Sequence, residues 1–336
     1  MADGGEGTVA AFLAGGARAE DTLVRGPLGS PTRARFALAD GGLAVIEMAA
    51  ASGLLLFTDA ERDPLRASTY GTGEVVRQAL DLGAENIVLG IGGSATNDGG
   101  AGLLAALGVR FLDAGGRELA PGGAALARLA TVDVSGLDPR LRNVRLQVAS
   151  DVDSVLCGTH GASVMFGAQK GASAQDIDVL DAALTHYANV TEAVCGRDCR
   201  IMPGAGAAGG LGFGLLAYLD AELRPGIEII AEVKGLRGVL GGADLCLTGE
   251  GRIDKQTLRC KTVAGVARCA REAGVPVIAF AGSIDATVEP GLAECGVGCA
   301  MPIVEQPMTL ESAFVNAGPL LERAAARVGR LLAFLV

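Results

Sequence analysis

Carboxylates collect beside glycines in three stretches of this chain. Asp98 follows the turn GIGGSATN (Gly90 to Asn97), Asp151 and Asp153 follow the alternating run Val144, Leu146, Val148, and Glu250 and Asp254 share TGEGRIDKQT (Thr248 to Thr257) with Arg252 and Lys255. Several acids in one place repel one another unless a cation joins them, and Mg²⁺ with a polyphosphate meets that need economically. Capping explains any one of these acids, but less easily all of them. Lysine is scarce as well: of 28 Lys plus Arg, only Lys170, Lys234, Lys255 and Lys261 are lysine, and three of those sit in or beside glycine-rich polar loops. A compact ammonium on a flexible stem suits a phosphate that moves during a reaction. For each lysine, a solvated surface position is the competing reading.

The elements that must hold these residues follow from periodicity. In NIVLGIGGSATNDGGAG (Asn86 to Gly102) the run Ile87 to Leu89 reads as a buried strand, three glycines clear the turn, and the Ala/Leu run 101–107 reads as a helix. Unpaired N–H groups at such a helix start favour an anion, so a phosphate or carboxylate site is expected here. A tight turn whose polar residues only cap the helix remains the alternative. Arg33 to Leu38 and Leu43 to Met48, joined by Asp40-Gly41-Gly42, read as a hairpin, with Glu47 as a paired edge residue or a ligand contact. Tyr70 to Leu82 puts Val75, Val76, Ala79 and Leu80 on one helical face and stops at Gly83. Further strands are expected at 144–148, 244–248 and 275–282, and helices at 174–194, 261–273 and from Leu310 onward. The units around 87–89, 244–248 and 275–281 are expected to share one sheet, with the hairpin and the irregular middle forming another body.

Composition narrows the function classes. Half of the 336 residues are hydrophobic but only 4% are aromatic and Trp is absent, which favours layered α/β packing of Ala, Val, Leu and Ile. A net charge of −10 argues against nucleic acid and membrane surfaces as partners. No segment reaches the roughly 18 uninterrupted apolar residues of a membrane span, and Met1 leads straight into Asp3 and Glu6 with no basic stretch, so a cytoplasmic protein is expected. The eight cysteines read as reduced apolar fillers, with a four-thiolate zinc site from Cys195, Cys199, Cys295 and Cys299 as the minor alternative. GAGAAGG matches the dinucleotide fingerprint at Gly204, Gly206 and Gly209, yet no convincing strand precedes it. There is no G-K-[ST] P-loop, and His160 and His186 are the only histidines, which disfavours a Ser-His-Asp hydrolase. Elimination alone does not name a reaction.

Longer motifs do. ADGGEGT (Ala2 to Thr8), AVIEMAAASGL (Ala44 to Leu54), TYGTGE (Thr69 to Glu74), GIGGSATNDGGAG (Gly90 to Gly102), FGAQKGA (Phe166 to Ala172), GAGAAGGLG (Gly204 to Gly212) and TGEGRIDKQT closely resemble the bacterial type I glycerate kinases, the glycerate 2-kinase family. The resemblance implies transfer of the ATP γ-phosphoryl group to D-glycerate with Mg²⁺, 2-phosphoglycerate being the favoured product. It implies two α/β domains: a discontinuous flavodoxin/Rossmann-like parallel-sheet domain over 1–25, 66–108 and 236–336, and a second mixed α/β domain over 26–65 and 109–235. It also assigns roles. Gly92, Gly93, Ser94, Thr96 and Asn97 form the phosphate cradle; Asp151 and Glu250 hold the metal; Lys170 and Lys255 place charge on the transferring group. Asp254 positions or deprotonates the acceptor hydroxyl, and Arg252, with Asp3 and Glu6, binds the substrate. The expected partners are the small molecules glycerate and ATP, with a homodimer as the expected assembly. Two departures stand out: the family begins earlier, with a strand leading to an Asp-Ser-Phe-Lys-Gly loop, and Cys260 and Val263 stand where it tends to show Gly and Pro. The competing readings are a catalytically impaired metabolite binder and, third, a nicotinamide-dependent enzyme.

Overall fold

The computed structural model describes residues 5, 7–255, 257, 258 and 262–334. They fall into two compact units, 2–226 and 227–336. Both are layered α/β bodies, as the aromatic-poor composition demands.

The larger unit is built on a six-stranded sheet. Its strands are β1 (Arg18–Arg25), β2 (Pro31–Ala39), β3 (Leu43–Glu47), β4 (Asn86–Gly90), β7 (Arg145–Ala149) and β8 (Glu222–Arg224), in the order β1-β2-β3-β4-β7-β8; β5 (Arg110–Leu112) and β6 (Thr131–Asp133) form a separate ribbon. Strands β1, β2 and β3 pair antiparallel, which confirms the hairpin, and β3, β4, β7 and β8 pair parallel. The interior parallel strands are continuous apolar runs because both of their faces are covered: Val45, Ile87, Val88, Leu89 and Val148 are fully buried. The helix Tyr70–Asp81 buries Val75, Val76, Ala79 and Leu80, as its spacing predicts. The long helix Ala174–Cys195 starts on a Ser173/Asp176 capping box and stops at left-handed Gly196.

The smaller unit holds a parallel sheet ordered β11-β10-β9, with β9 at Cys246–Ile253, β10 at Val277–Ile284 and β11 at Cys299–Pro302. The helix Thr262–Glu272 covers it with Val263, Val266 and Ala267. Val263, the departure from the family's proline, is therefore a core residue. Cys260 lies outside the described residues.

Two expectations change. Strand 86–90 pairs with β3 and β7, not with β9 or β10, so segment 66–108 shares its sheet with the hairpin rather than with 236–336. Its apolar run announces a buried parallel strand but carries no record of which neighbours it will have. The strand expected at 244–248 instead runs to Ile253, pairing Glu250 with Ala281 and Arg252 with Ser283. The glycines of TGEGRI look like a loop, yet parallel hydrogen bonding to β10 keeps them extended. Strand β1 has no apolar run to betray it, because Arg18, Asp21 and Arg25 hold exposed positions of this edge strand and Val24 is its one buried residue. Among the described residues no helix is long and apolar enough to cross a membrane.

Candidate functional site

The chain turns sharply where β4 ends, and its neighbours hold that turn from several sides. Gly93 O accepts the Leu54 N–H (2.9 Å), Ala95 N–H donates to Ser52 O (2.9 Å), and Gly99 N–H donates to Gly209 O (3.0 Å). The Lys170 ammonium, at the end of a short 3₁₀ turn and only 2% exposed, donates to Ser94 Oγ at 2.8 Å and to Thr96 O at 2.7 Å. Burial pulls this ammonium down to about 7, against the attraction of Asp98. Asn97 Nδ2 donates to Ser163 Oγ at 2.9 Å.

The five cradle residues differ in exposure. Gly92 and Gly93 are exposed, and Ser94 reaches the surface marginally, whereas Thr96 and Asn97 are wholly buried, with Thr96 Oγ1 and Asn97 Oδ1 unpartnered among the described residues. Lys170 likewise directs its charge into the turn, because its nitrogen is occupied there and shielded from solvent. Nor is the helix Ala101–Ala106 an open anion site. Asp98 already occupies that place: its carboxylate accepts N–H groups from Thr69 (2.8 Å), Gly100 (3.2 Å) and Gly102 (3.2 Å), while Thr69 Oγ1 accepts from Leu103 (2.8 Å). Burial pushes the Asp98 carboxyl up, and those donors pull it back. The capping alternative is thus right for this helix, and what remains open to a ligand is the Gly92-Gly93 backbone.

The GAGAAGG segment has a structural use. Residues 198–206 contain no strand, so the dinucleotide fingerprint lacks its context, and Gly209 instead packs directly beneath the turn. A Cβ on Gly209 would lie 2.0 Å from Thr96 O, and its φ of +68° already excludes most side chains. The opening glycine loop also approaches: a Cβ on Gly92 would come within 3.2 Å of Gly5 Cα. Asp3 and Glu6 of that loop lie outside the described residues. Glu47, at the end of β3, accepts the Val9 N–H at 2.8 Å and so fastens the first helix to the sheet.

Asp151 lies beyond the end of β7, the parallel neighbour of β4, so it shares the carboxyl-end rim of the sheet with Ser94. Its Oδ1 accepts the Gly226 N–H at 3.1 Å. In the smaller unit, the remaining candidates lie on β9 or just past its end. Thr257, buried, donates its hydroxyl to Glu250 and accepts the Asp254 N–H at 3.1 Å. Arg252 Nε lies 3.5 Å from Asp254 Oδ2 and, like Lys255, is exposed. Asp285, past the end of β10, is held below the usual carboxylate range, first by Thr287 and further by Lys255 and Arg252.

Among the described residues no three His, Cys, Asp or Glu side chains converge as a metal cage. Asp151 and Glu250 each accept a hydrogen bond from the chain itself on one oxygen, which leaves each carboxylate further acceptor sites. Cys199 and Cys246 are buried thiols raised by burial, as apolar fillers should be.

Sequence reasoning left Ser52, Thr69, Ser163, Thr257 and Asp285 without roles. Ser52, Thr69 and Thr257 sit inside motifs that were recognised whole, and Asp285 ends a strand, the position at which ligands gather in α/β sheets. Ser163 has no signal in the sequence.

Residues 1–333 match the model of the glycerate kinase family. The chain is 51% identical to a glycerate kinase of Bacillus subtilis over 97% of its own length and 85% of that protein. It is 46% identical to the glycerate 2-kinase of Escherichia coli, over 99% of this chain and 88% of that one. A crystal structure from Salmonella typhimurium LT2, described as glycerate kinase 2, superposes with a TM-score of 0.90 at 46% identity, covering 99% of this chain and 87% of the other. With its motifs in family order and its fold shared along nearly all of its length, this chain belongs to the glycerate kinase family.

Proposed function

We propose that the chain transfers the γ-phosphoryl group of ATP to O2 of D-glycerate, giving 2-phosphoglycerate and ADP. The observation that carries this reading is the family match over residues 1–333, joined to relatives named for glycerate phosphorylation at 46–51% identity. Phosphoryl transfer asks a protein mainly for positioning and for charge placed near the reacting oxygens. In our reading the Gly92 and Gly93 N–H groups, with the Ser94 hydroxyl, take the phosphate oxygens of the donor. Arg252 pairs with the glycerate carboxylate, for which a guanidinium fork supplies two parallel donors. Asp254 accepts the hydroxyl proton as the hydroxyl oxygen bonds to the γ-phosphorus and the bridging bond to ADP breaks, and Lys255 offsets the negative charge. Asp151 and Glu250 remain the acids offered to Mg²⁺, which would neutralise the phosphates. No further reading has an observation in its favour: the nicotinamide alternative lost its strand context, and the binder alternative has nothing in the described site to recommend it.

A coupled assay with ATP, Mg²⁺ and D-glycerate tests the reading. Glycerate-dependent ADP, with 2-phosphoglycerate resolved from the 3-isomer by ³¹P NMR, is the expected result. ATP turnover that ignores glycerate would overturn it.

A further inference from the structure

Lys170 is the one lysine buried inside the larger unit, and a buried ammonium is a costly way to brace a turn. A neutral amide or a hydroxyl would carry less desolvation penalty. Its geometry suggests what the charge achieves. One N–H of the ammonium goes to Thr96 O (2.7 Å), which fixes the nitrogen, and another goes to Ser94 Oγ (2.8 Å). A serine hydroxyl has one hydrogen and two acceptor sites. In its protonated form the group has no lone pair, so Ser94 then accepts from it, and the Ser94 hydrogen is left to donate elsewhere. Among the described residues Ser94 Oγ has no other partner, while Ser94 remains 7% exposed next to the exposed Gly92-Gly93 backbone. The rest of the turn is held without Lys170, through Ser52, Leu54 and Gly209.

We propose that Lys170 is a positioning residue that turns Ser94 into a fixed, outward-pointing hydrogen-bond donor for a phosphate oxygen of the nucleotide at the Gly92-Gly93 turn. This deepens the proposed kinase function and rests on it. The buried ammonium acts on the ligand only through the serine, so the two residues form one device.

A double-mutant cycle on the full chain separates this device from simple bracing. Ser94→Ala should weaken binding of a non-hydrolysable ATP analogue, measured by calorimetry, by about tenfold, the scale of one hydrogen bond to a charged group. The KM for ATP should rise by a similar factor while kcat changes much less. Lys170→Met should do the same in the wild-type background and nothing further in the Ser94→Ala background, whereas Lys170→Arg should recover part of the affinity. Ser94→Ala binding the analogue as wild type does would overturn the proposal. So would independent, multiplying losses from the two substitutions. Should Lys170→Met fail to fold, Ser94→Ala and Lys170→Arg still decide the question. Analogue binding is read without glycerate, so an enzyme that binds nucleotide normally but ignores glycerate sinks the proposed reaction and leaves the Ser94 test standing.

Discussion

Past β4 the chain buries nearly every polar side chain it carries, whereas past β9 it displays them. Ser94, Thr96, Asn97 and Asp98 are all at most 7% exposed, and neighbouring segments engage the side chains of Ser94, Asn97 and Asp98 and the backbone carbonyl of Thr96. Around the end of β9, Arg252 and Lys255 stand in solvent, and among the described polar residues there Thr257 is the one fully enclosed. Both stretches are glycine-rich and both end a parallel strand, so composition alone makes them look alike. The first is a rigid backbone surface that offers N–H groups, suited to oxygens that must be held in one place. The second is a set of long side chains that offers charge. Glycine therefore has two uses here: close backbone approach, as at Gly209 and Gly249, and an extended position with open space around it, as at Gly251.

The sharpest break in that comparison lies at the glycines themselves. Gly209→Ala drives a methyl group onto Thr96 O at a positive φ and should cost about 3–5 kcal/mol, or prevent folding. Gly251→Ala on β9 meets open space and should change stability by less than about 0.5 kcal/mol. Urea denaturation of the two variants is the measurement, and equal losses would erase the distinction. Next in size, Asp254→Asn should lower kcat about a hundredfold or more, as loss of a proton acceptor does. Its unfolding midpoint should stay in place, because the exposed end of β9 does not hold the fold together.

A pH effect comes third. The Lys170 ammonium falls from its ordinary 10.5 to about 7 through burial, with Asp98 as the charged group opposing that shift. Between about pH 7 and 10.5 the unfolded chain then binds a proton that the folded one lacks, so stability should rise with pH across that window and be flat below it. Wild-type protein compared with Lys170→Met by denaturation at pH 7 and 9 checks the sign: the wild type should gain relative to the variant. Smallest is Thr257→Val, which removes the hydroxyl shared by Glu250 and Asp254. It should cost about 1–2 kcal/mol, and KM for glycerate should rise if that hydroxyl orients the β9 acids.

Much of the fold was legible residue by residue. The helix Tyr70–Asp81, the hairpin and the strand cores at Ile87 and Val277 follow from local periodicity, and local periodicity is a property of the chain itself. The site was legible as motifs but not as roles. Gly92 and Gly93 stayed where a ligand can meet them, while Thr96, Asn97 and Lys170 went inward. A polar residue beside a glycine turn has the same sequence signature whether it faces solvent or braces the turn from behind. Only the segments packed against it, here those carrying Ser163 and Gly209, tell the two apart.

By itself, then, the sequence determined the α/β class, the family and which stretches carry chemistry, because each is written in contiguous residues or in the order of motifs. Tertiary structure alone decided that β4 joins the hairpin's sheet, that Asp98 fills the helix start where an external anion was expected, and that the Lys170 charge ends on Ser94. Those outcomes depend on contacts between residues dozens of positions apart. Burial and pairing at such distances are settled by packing, which no local pattern records.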